Sequence, residues 1–415
     1  MNDDMALIKT QVSDDFETSD RYPFFARQPV FGPLQQLMAY DIVHCGVALG
    51  DDLETCIATR LDGLASTQMV FVAVTRESML GWADMPSVVD GRSMVMVVAA
   101  DIYVDDALLA AVNNMVSKGY LIALADFDYG RNHNALLPYA DFIKISIRGR
   151  SGDALQELLA SLHEFRARLI AYHVDTPAQF EIAREIGFDG FMGEFYCQPC
   201  CPGIHELSVA ALNLLRLAVL VQEKELDVDS VEKLISRDVM LSYKLLRYIN
   251  SSAFALRRQV ESIRHAIILL GLDEIRKWSA LVSILNVDNK PGELARAALW
   301  RANMCELLCE ESGQGNPGTA FIVGLFSLLD AMFDQRLEDL LARLPLADDI
   351  RAALLQGQGD YAEVLACTCA YGRGDWPAVR FSSLMPAEIA AVYLRAVRRA
   401  DQSMSGLYEV AQRKN

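Results

Sequence analysis

The sequence predicts two domains of different class, an α/β barrel-like domain followed by an all-α domain. Its 415 residues exceed the roughly 250 to 300 at which a single hydrophobic core stops growing. As far as Pro202, short apolar runs alternate with amphipathic stretches, which is typical of a parallel sheet with helices outside it. Strand signals nearly vanish after Cys200-Cys201-Pro202-Gly203. We therefore expect a polar leader at residues 1–20, the barrel-like domain at 21–202 and the helical domain at 203–415.

Five apolar runs in the first half have the length of β-strands, and turn signals or β-branched residues surround most of them. Helical patterns lie between them, such as the leucines at positions 155, 158, 159 and 162. A segment of about 180 residues is short for the roughly 250 of a complete eight-unit barrel, so we expect the barrel to be incomplete. The predicted strands span residues 70–74, 94–100, 120–125, 142–147 and 169–172.

Helix signals fill the second half of the chain. Asp229, with Glu232 three residues later, resembles a capping box, and Asp238 is the expected start of a second helix. Ser262 is the expected cap of a third helix, and Gly271 lies where a left-handed residue ends a helix. Apolar residues at helical spacing continue at least to residue 397, without an internal repeat.

Charge and composition exclude several classes of protein. The formal net charge of −17 repels nucleic acid. No run approaches the roughly 20 apolar residues that cross a bilayer, and the first twenty residues are acidic where a signal peptide is basic and then apolar. Nine cysteines without regular spacing indicate reduced thiols rather than disulfides. We expect a cytoplasmic protein without nucleic-acid or membrane partners.

Two local sequences resemble known families. ISRDVMLSYKLLRYINSSAF at residues 235–254, followed by IRHAIILLGL at 263–272, closely resembles the signature of HDOD domains, with Val239 where that family favours proline. FARQPV at residues 25–30, with YDIV at 40–43, resembles the opening of EAL domains that are joined to HDOD domains. The resemblance covers residues 21–400 of the chain, approximately.

The resemblance implies a fold and a chemistry for each half. A catalytic EAL domain is similar in fold to a TIM barrel, and carboxylates with an asparagine at its strand ends hold two divalent cations. Those cations activate a water that attacks a phosphodiester of cyclic di-GMP. HDOD domains are helical relatives of HD-domain phosphohydrolases, and HDOD domains lack the metal pair of those enzymes. We therefore expect a TIM-barrel-like EAL domain followed by an all-helical HDOD domain.

Most positions that serve catalysis in EAL domains carry a different residue in this chain. The glutamate of the E-x-L motif matches Asp41, the second aspartate of D-D-F is kept as Asp126, and the lysine of I-K-x-D is kept as Lys144. Cys45 lies near the place of the arginine that grips phosphate. The other matched positions have lost their acidic or amide side chains and are Ala73, Val98, Ala125, Ser146, Tyr172 and Met192.

The surviving ligands are too few for metal catalysis. Two carboxylates, those of Asp41 and Asp126, cannot hold a pair of divalent ions that each require about six oxygens. In the second half, Ser327-Leu328 stands where related hydrolases have His-Asp, and no His-Asp dipeptide occurs in the chain. We therefore expect no enzyme activity, no metal, no other cofactor and no binding of cyclic di-GMP.

The segment Cys197-x-x-Cys200-Cys201-x-x-x-His205 has two interpretations. Three thiolates and an imidazole suit a tetrahedral zinc site. Adjacent cysteines followed by Pro-Gly make a poor chelate, so we favour structural thiols at the link between the domains.

Four further polar groups have a functional and a structural interpretation, and we favour the structural one. An acidic strand end suits a lone cation, a histidine near an aspartate suits acid–base chemistry, a basic cluster suits an anionic partner, and an Asn-Ser-Ser segment suits a functional turn. Each also suits a solvated surface or a helix end. The residues are Asp126 with Asp128, His173 with Asp175, Arg257 with Arg258, Arg264 and His265, and Asn250 with Ser251 and Ser252.

The predicted function is that of a non-catalytic regulator in bacterial signal transduction. It acts through contacts with an unidentified signalling protein, in cyclic di-GMP-related control of motility or biofilm formation. The physiological part rests on the resemblance alone, because fold does not determine function. Two alternatives stay open, a sensor that binds cyclic di-GMP or another nucleotide without hydrolysis and a residual cyclic di-GMP phosphodiesterase. A homodimer is compatible with domains of this kind.

Overall fold

The first half of the chain folds into a closed barrel of eight strands that follow one another in chain order. The strands are β1 Phe24–Phe31, β2 Leu37–Cys45, β3 Met69–Val74, β4 Met94–Val98, β5 Leu121–Leu124, β6 Phe142–Ser146, β7 Arg168–Tyr172 and β8 Gly190–Phe191. The computed structural model describes residues 24–45, 69–82, 94–99, 102–125, 132–200, 215, 227–236, 239–250, 260–285, 290–381 and 384–412.

Strand β1 closes the barrel, so the prediction of an incomplete barrel was wrong. It pairs antiparallel with β2, with Gln28 opposite Asp41, and antiparallel with β8, with Phe31 opposite Phe191. The other neighbouring strands are parallel. The five predicted strands are present as β3 to β7, and the sequence patterns missed the β1–β2 hairpin and the two-residue β8. Because elements such as β8 are very short, a segment of about 180 residues is long enough to close the barrel.

Helices cover the outside of the barrel and begin at residues whose side chains cap them. The Asp105 carboxylate accepts a hydrogen bond from the Leu108 amide, and Thr176 forms a capping box with Gln179. Each such cap satisfies an amide at the start of the helix that has no partner within it. The helices are α1 Arg76–Trp82, α2 Asp106–Ser117, α3 Gly152–Leu162 and α4 Pro177–Ile186, with a 3₁₀ helix at Asn132–Tyr139 between β5 and β6.

The strands separate two hydrophobic layers, because successive side chains of a strand point to opposite faces. On β4, Val95 and Val97 belong to the cluster inside the barrel, whereas Val98 belongs to the cluster between strands and helices. The assignment of Val98 to the metal-facing position of this strand was therefore wrong. The alternation places Val97 rather than Val98 on the interior face.

The second half is helical throughout the part that the structure describes. Its first helix is capped by Asp227, whose Oδ1 accepts from the Ser230 amide at 2.8 Å, and not by Asp229 as the capping-box pattern predicted. No described helix has the length and apolar character to cross a bilayer. The helices are α5 Val228–Ser236, α6 Val239–Ile249, α7 Ile263–Leu285, α8 Gly292–Ser312, α9 Pro317–Phe326, α10 Leu329–Phe333, α11 Leu337–Leu341, α12 Asp348–Gln356, α13 Ala362–Arg373 and α14 Pro386–Gln412.

The helical half contains two hydrophobic cores. The smaller core unites α5, α6 and the N-terminal and central part of α7, around the fully buried Trp278. The larger core unites α8 to α14, and it also includes Phe24 and Ala26 of β1 and Cys197 beyond β8. Strand β1 therefore belongs to the barrel by its hydrogen bonds and by Val30 and Phe31, and to the larger helical core by Phe24 and Ala26.

Aromatic contacts join β1 to the helices. The Phe24 ring stacks on Trp376 with centroids 5.7 Å apart, and its edge meets Tyr371 at the same centroid distance. Tyr371 in turn stacks on Tyr393 of α14 at 4.4 Å. Aromatic pairs of this geometry contribute about 0.5–1.5 kcal/mol each beyond the burial of their area.

A charged network joins the same surfaces. The Arg27 guanidinium donates to both carboxylate oxygens of Asp401 at 3.0 and 3.1 Å, and it lies 4.5 Å from the Tyr40 ring centroid. The Tyr40 hydroxyl donates to Glu293 at 2.9 Å, and Arg296 links Glu293 to Asp401. Two-point binding of a carboxylate by arginine is directional as well as strong. The barrel and the larger helical core are thereby held in one relative position.

Candidate functional site

A cleft of about 870 Å³ opens at the mouth of the barrel, where the carboxyl ends of the parallel strands meet. The barrel contributes Asp41 of β2, Lys144 of β6, Tyr172 of β7 and Met192 after β8. The opposite wall comes from the helical half, with residues 300–301, 327–328 and 372–375. Both halves of the chain therefore form this cleft.

A buried ion pair forms the floor of the cleft. The Lys144 ammonium donates to Asp41 Oδ2 at 3.0 Å, with side-chain exposures of 10% and 9%. The same ammonium lies 5.8 Å from the Tyr172 ring centroid. Because a buried carboxylate needs a compensating charge, this lysine stabilises the Asp41 anion. The carboxylate at the E-x-L position is thus paired within the chain itself.

The other predicted positions that the structure describes at the barrel mouth lie around this pair, and their side chains carry no carboxylate or amide oxygen. Ala73, Ala125 and Tyr172 pack against the cluster inside the barrel, and Met192 belongs to it. Ser146 Oγ is hydrogen-bonded to His173 Nδ1 at 2.8 Å. Asp126, like Asp128, lies outside the described residues. Among the residues that the structure describes, no three His, Cys, Asp or Glu side chains are grouped so that they could hold a metal ion.

His173 occupies an unusual backbone conformation at the end of β7. Its φ of 60° is uncommon for a residue with a side chain, and its ring lies 4.4 Å from that of Tyr172. Asp175 is paired with Arg148 at 3.0 Å, on the exposed rim of the cleft. His173 is therefore hydrogen-bonded to Ser146, whereas Asp175 is paired with Arg148.

The helical wall brings a buried cation to the cleft. Arg301 of α8 has a side-chain exposure of 8% and donates to Glu194 of the barrel half at 3.2 Å. Gln28 of β1 donates to the carbonyl oxygens of Gly372 and Arg373 at 3.4 and 3.1 Å. Sequence patterns missed these groups. The signal that could have drawn attention to Arg301 is a charged residue on a helix whose neighbouring positions are nearly all apolar.

Ser327 and Leu328, which stand where related hydrolases are expected to have His-Asp, face the same cleft. Ser327 is the C-cap of α9, and its hydroxyl donates to the Gly324 carbonyl at 2.7 Å. Ser327 and Leu328 line the same cavity as Asp41, Lys144, Tyr172 and Met192.

The candidate zinc cysteines differ in environment. Cys197 is buried, whereas Cys200 is exposed and its amide donates to Asp334 Oδ1 at 2.7 Å. Burial raises the pKa of the Cys197 thiol, which favours its neutral form. Cys201 and His205 lie outside the described residues, so the choice between zinc and structural thiols stays a prediction in favour of thiols.

Alkylation should separate these thiols in the folded protein. At pH 8 we expect iodoacetamide to modify Cys200 much faster than Cys309 or Cys367. Burial raises the pKa of Cys309 to about 11 and that of Cys367 to about 12, which leaves on the order of 10⁻³ or less of each thiol ionised. Peptide mass spectrometry over time measures the three rates, with denatured protein as the control. Equal rates in the folded protein would contradict the burial.

The basic and polar groups of the smaller helical core have structural partners. Arg264 donates to Asp229 and Glu232 at 2.5 and 2.9 Å. The Asn250 amide donates to the carbonyl oxygens of Leu246 and Val260, and its oxygen accepts from the Val260 amide. Asn250 therefore ends α6 and fastens the following segment, as the structural interpretation predicted. Of the other residues of these groups, the His265 amide donates to the Ser262 hydroxyl at 3.2 Å, and Arg257, Arg258, Ser251 and Ser252 lie outside the described residues.

Comparison with known proteins gives matches for both halves. The family model of the HDOD domain matches residues 209–341. Uncharacterized protein YuxH of Bacillus subtilis is 27% identical over 376 residues, which covers 85% of this chain and 91% of that protein. A Vibrio cholerae protein named Cyclic di-GMP phosphodiesterase CdgJ is 33% identical over 278 residues, which covers 66% of this chain and 64% of that protein. The solved EAL domain of Mycobacterium smegmatis DcpA is 16% identical, with a TM-score of 0.34, and covers 41% of this chain and 90% of that domain.

The sequence motifs, the strand topology and the matched family agree with one another. The EAL-like segments at residues 25–30 and 40–43 lie on β1 and β2 of a closed eight-stranded barrel, and the HDOD match lies on the helical half. A TM-score below 0.5 adds nothing to this assignment, which rests on the topology and the sequence matches. The chain therefore combines an HDOD domain in its second half with a closed eight-stranded barrel that carries EAL-like segments in its first half, which is the organisation of an EAL–HDOD fusion.

Proposed function

We propose that this protein is a non-catalytic regulator in cyclic di-GMP signalling and that it acts through contacts with another signalling protein. The observation that supports the proposal is the set of side chains at the barrel mouth, where alanine, tyrosine and methionine stand at the strand ends around the buried pair of Lys144 and Asp41. Methyl, phenol and thioether groups are poor ligands for hard divalent cations, which bind carboxylate and carbonyl oxygens.

The residues present do not fit a pair of divalent cations. Such ions require about six oxygen ligands each, largely from fixed carboxylates. The carboxylates that line the described part of the cleft are those of Asp41, Asp175, Glu194 and Asp375, and the first three are paired with Lys144, Arg148 and Arg301. No three His, Cys, Asp or Glu side chains of the described residues are grouped so that they could hold a metal ion. Without fixed ions there is no metal-activated water for attack on a phosphodiester. The name of the relative CdgJ, a cyclic di-GMP phosphodiesterase at 33% identity, supports the competing interpretation of residual hydrolysis.

A turnover assay decides between these interpretations. We expect the purified chain, incubated with cyclic di-GMP and either Mg²⁺ or Mn²⁺, to form no product above a protein-free blank, because the metal site is incomplete. Chromatographic separation of substrate and linear dinucleotide measures this. Turnover that is present in the unaltered chain and lost in Asp41→Asn would overturn the proposal, whereas turnover that persists in Asp41→Asn would indicate a contaminating enzyme.

Partner binding is expected to be independent of the vestigial ligands. Affinity capture from the native cell should recover the same protein with the unaltered chain and with Asp41→Asn, because no metal is required for the contact. Mass spectrometry identifies the captured protein. Capture that depends on added cyclic di-GMP would contradict a purely structural role and would support a sensor.

One observation favours the second candidate, a nucleotide sensor without hydrolysis. The cleft of about 870 Å³ is large enough for a nucleotide, and it presents Trp300, Tyr172 and Arg301. Aromatic faces and guanidinium groups are the side chains that stack on bases and bind phosphate. Calorimetry with cyclic di-GMP tests this candidate. Saturable heat at micromolar nucleotide, reduced in Arg301→Gln, would favour the sensor over the regulator that binds protein alone.

A further inference from the structure

The two hydrophobic cores of the helical half do not coincide with the segment that matches the HDOD family. Among described residues, none between 228 and 285 belongs to the larger helical core, which unites α8 to α14 with β1. The residues of α5, α6 and α7 form their own core. The HDOD match at residues 209–341 runs across both cores. We refer to residues 228–285 as the signature lobe and to the barrel with residues 292–404 as the platform.

The platform is tied together by buried contacts of several kinds. Phe24 and Ala26 of β1 lie inside the larger helical core, so removing the helices would expose a barrel strand. The Arg27 guanidinium, with a side-chain exposure of 5%, is paired with Asp401 across this junction. Separating these surfaces would expose apolar area and a charged pair at the same time. The platform is therefore one cooperative unit.

The signature lobe is joined to the platform more weakly. Its helix α6 packs beside α14, and α7 packs beside α8 and α9, but the described contacts form no shared buried cluster. Among the ion pairs of the described residues, one that crosses between the two parts joins Lys277 of α7 to Glu306 of α8 at 3.0 Å. Glu306, with a side-chain exposure of 7%, is also paired with Arg399 of α14 at 3.3 Å.

Two buried polar groups, one in the lobe and one at its junction with the platform, cost free energy in the folded chain. The Trp278 indole N–H is buried in the lobe without an acceptor within the described structure, which costs about what a lost hydrogen bond costs. Burial raises the pKa of Glu306, although Lys277 acts in the opposite direction. The Glu306 carboxylate therefore depends on the lysine of the lobe for much of its compensation. Parts of a protein with few shared apolar contacts open at lower free energy than the rest.

We propose that the signature lobe opens from the platform as a unit, and that the Lys277–Glu306 pair holds it closed. Opening leaves the barrel and its mouth intact, because β1 and its helices remain packed. The HDOD signature segment is thereby carried on the part of the molecule that moves. This inference goes beyond the proposed function and does not require it, since it concerns only how the two helical cores are coupled.

Hydrogen exchange with mass spectrometry tests the proposal on the full chain. In the unaltered protein, amides within 231–282 should lose protection at a lower denaturant concentration than amides of β1 and α8. In Lys277→Met, which leaves Glu306 without its partner in the lobe, exchange of the lobe amides should accelerate about tenfold, with β1 and α8 unchanged. Lys277→Arg should restore the protection of the lobe.

A matched control breaks an ion pair that does not cross between the two parts. Arg395→Met removes the pair of Arg395 with Glu311, which joins α14 to α8 within the platform and is 45% exposed on each side. Its exchange pattern should equal that of the unaltered chain. Loss of protection in lobe and platform at one denaturant concentration would overturn the proposal, as would unchanged lobe exchange in Lys277→Met. Acceleration across the whole chain in that variant would also overturn it.

Discussion

Replacing Asp401 with alanine is expected to lower the free energy of unfolding by about 3–5 kcal/mol, because it removes the carboxylate that pairs with a buried guanidinium. Asp401 accepts both hydrogen bonds of the Arg27 guanidinium, and the Arg27 side chain is only 5% exposed. Arg296 is paired with the same carboxylate and would lose that contact as well. The variant therefore removes the carboxylate that two neighbouring guanidinium groups share, while Arg296 keeps its pair with Glu293.

Urea denaturation followed by circular dichroism measures this effect. The matched control is Arg395→Ala on the same helix, which removes an exposed ion pair and should change the free energy of unfolding by no more than about 1 kcal/mol. A second variant, Asp401→Asn, keeps the shape of the side chain and should lie between the two. An Asp401→Ala variant as stable as the control would show that the network does not hold β1 to the helices.

Replacing Gly193 with alanine should destabilise the barrel mouth by about 3–5 kcal/mol, from the sum of backbone strain and overpacking. Gly193 has a φ of 145°, a region that side-chain-bearing residues rarely adopt. A Cβ atom there would lie 2.1 Å from the Val174 carbonyl oxygen. That oxygen accepts the Phe195 amide at 3.1 Å, and the Val174 amide donates to Met192. The backbone cannot yield without breaking these bonds.

Gly187 offers a control that separates strain from collision. Its φ of 106° is also positive, but no atom lies within 4 Å of the Cβ that alanine would add. Gly187→Ala should therefore cost about 1–2 kcal/mol, from strain alone. The two variants are compared by their denaturation midpoints, provided that the free energy of unfolding depends equally on denaturant concentration in both. Equal losses in both would show that the close approach to Val174 is not what restricts position 193 to glycine.

Local patterns predicted most of the regular structure and failed where pairing is decided at a distance. The apolar runs of β3 to β7 were found because each strand is marked by its own residues. The β1–β2 hairpin was missed because Arg27, Gln28 and Asp41 interrupt its apolar pattern. Those polar side chains are satisfied by partners far along the chain, such as Asp401, the carbonyl of Arg373 and Lys144. An incomplete barrel was inferred from length, and the short β8 shows why length misleads.

The candidate site was found in part from the sequence. Family motifs located Asp41, Lys144 and Ser146. Asp41 and Lys144 are paired and line the cleft, and Ser146 is hydrogen-bonded to His173, which also lines it. The error at Val98 arose because a shift of one residue along a strand turns a side chain to the other face. The contribution of Arg301 could not be inferred, since nothing near it in sequence indicates that α8 faces the barrel.

By itself the sequence determined the two fold classes and most of the strands and helices. These depend on residue type and on short-range periodicity, which any segment carries with it. Only the tertiary structure decided that β1 contributes to more than one core, that Lys144 is paired with Asp41, and that Ser327 and Leu328 face the same cleft as Asp41. Such facts depend on which distant segments pack together, and packing is settled by the combined burial of many side chains rather than by any local pattern.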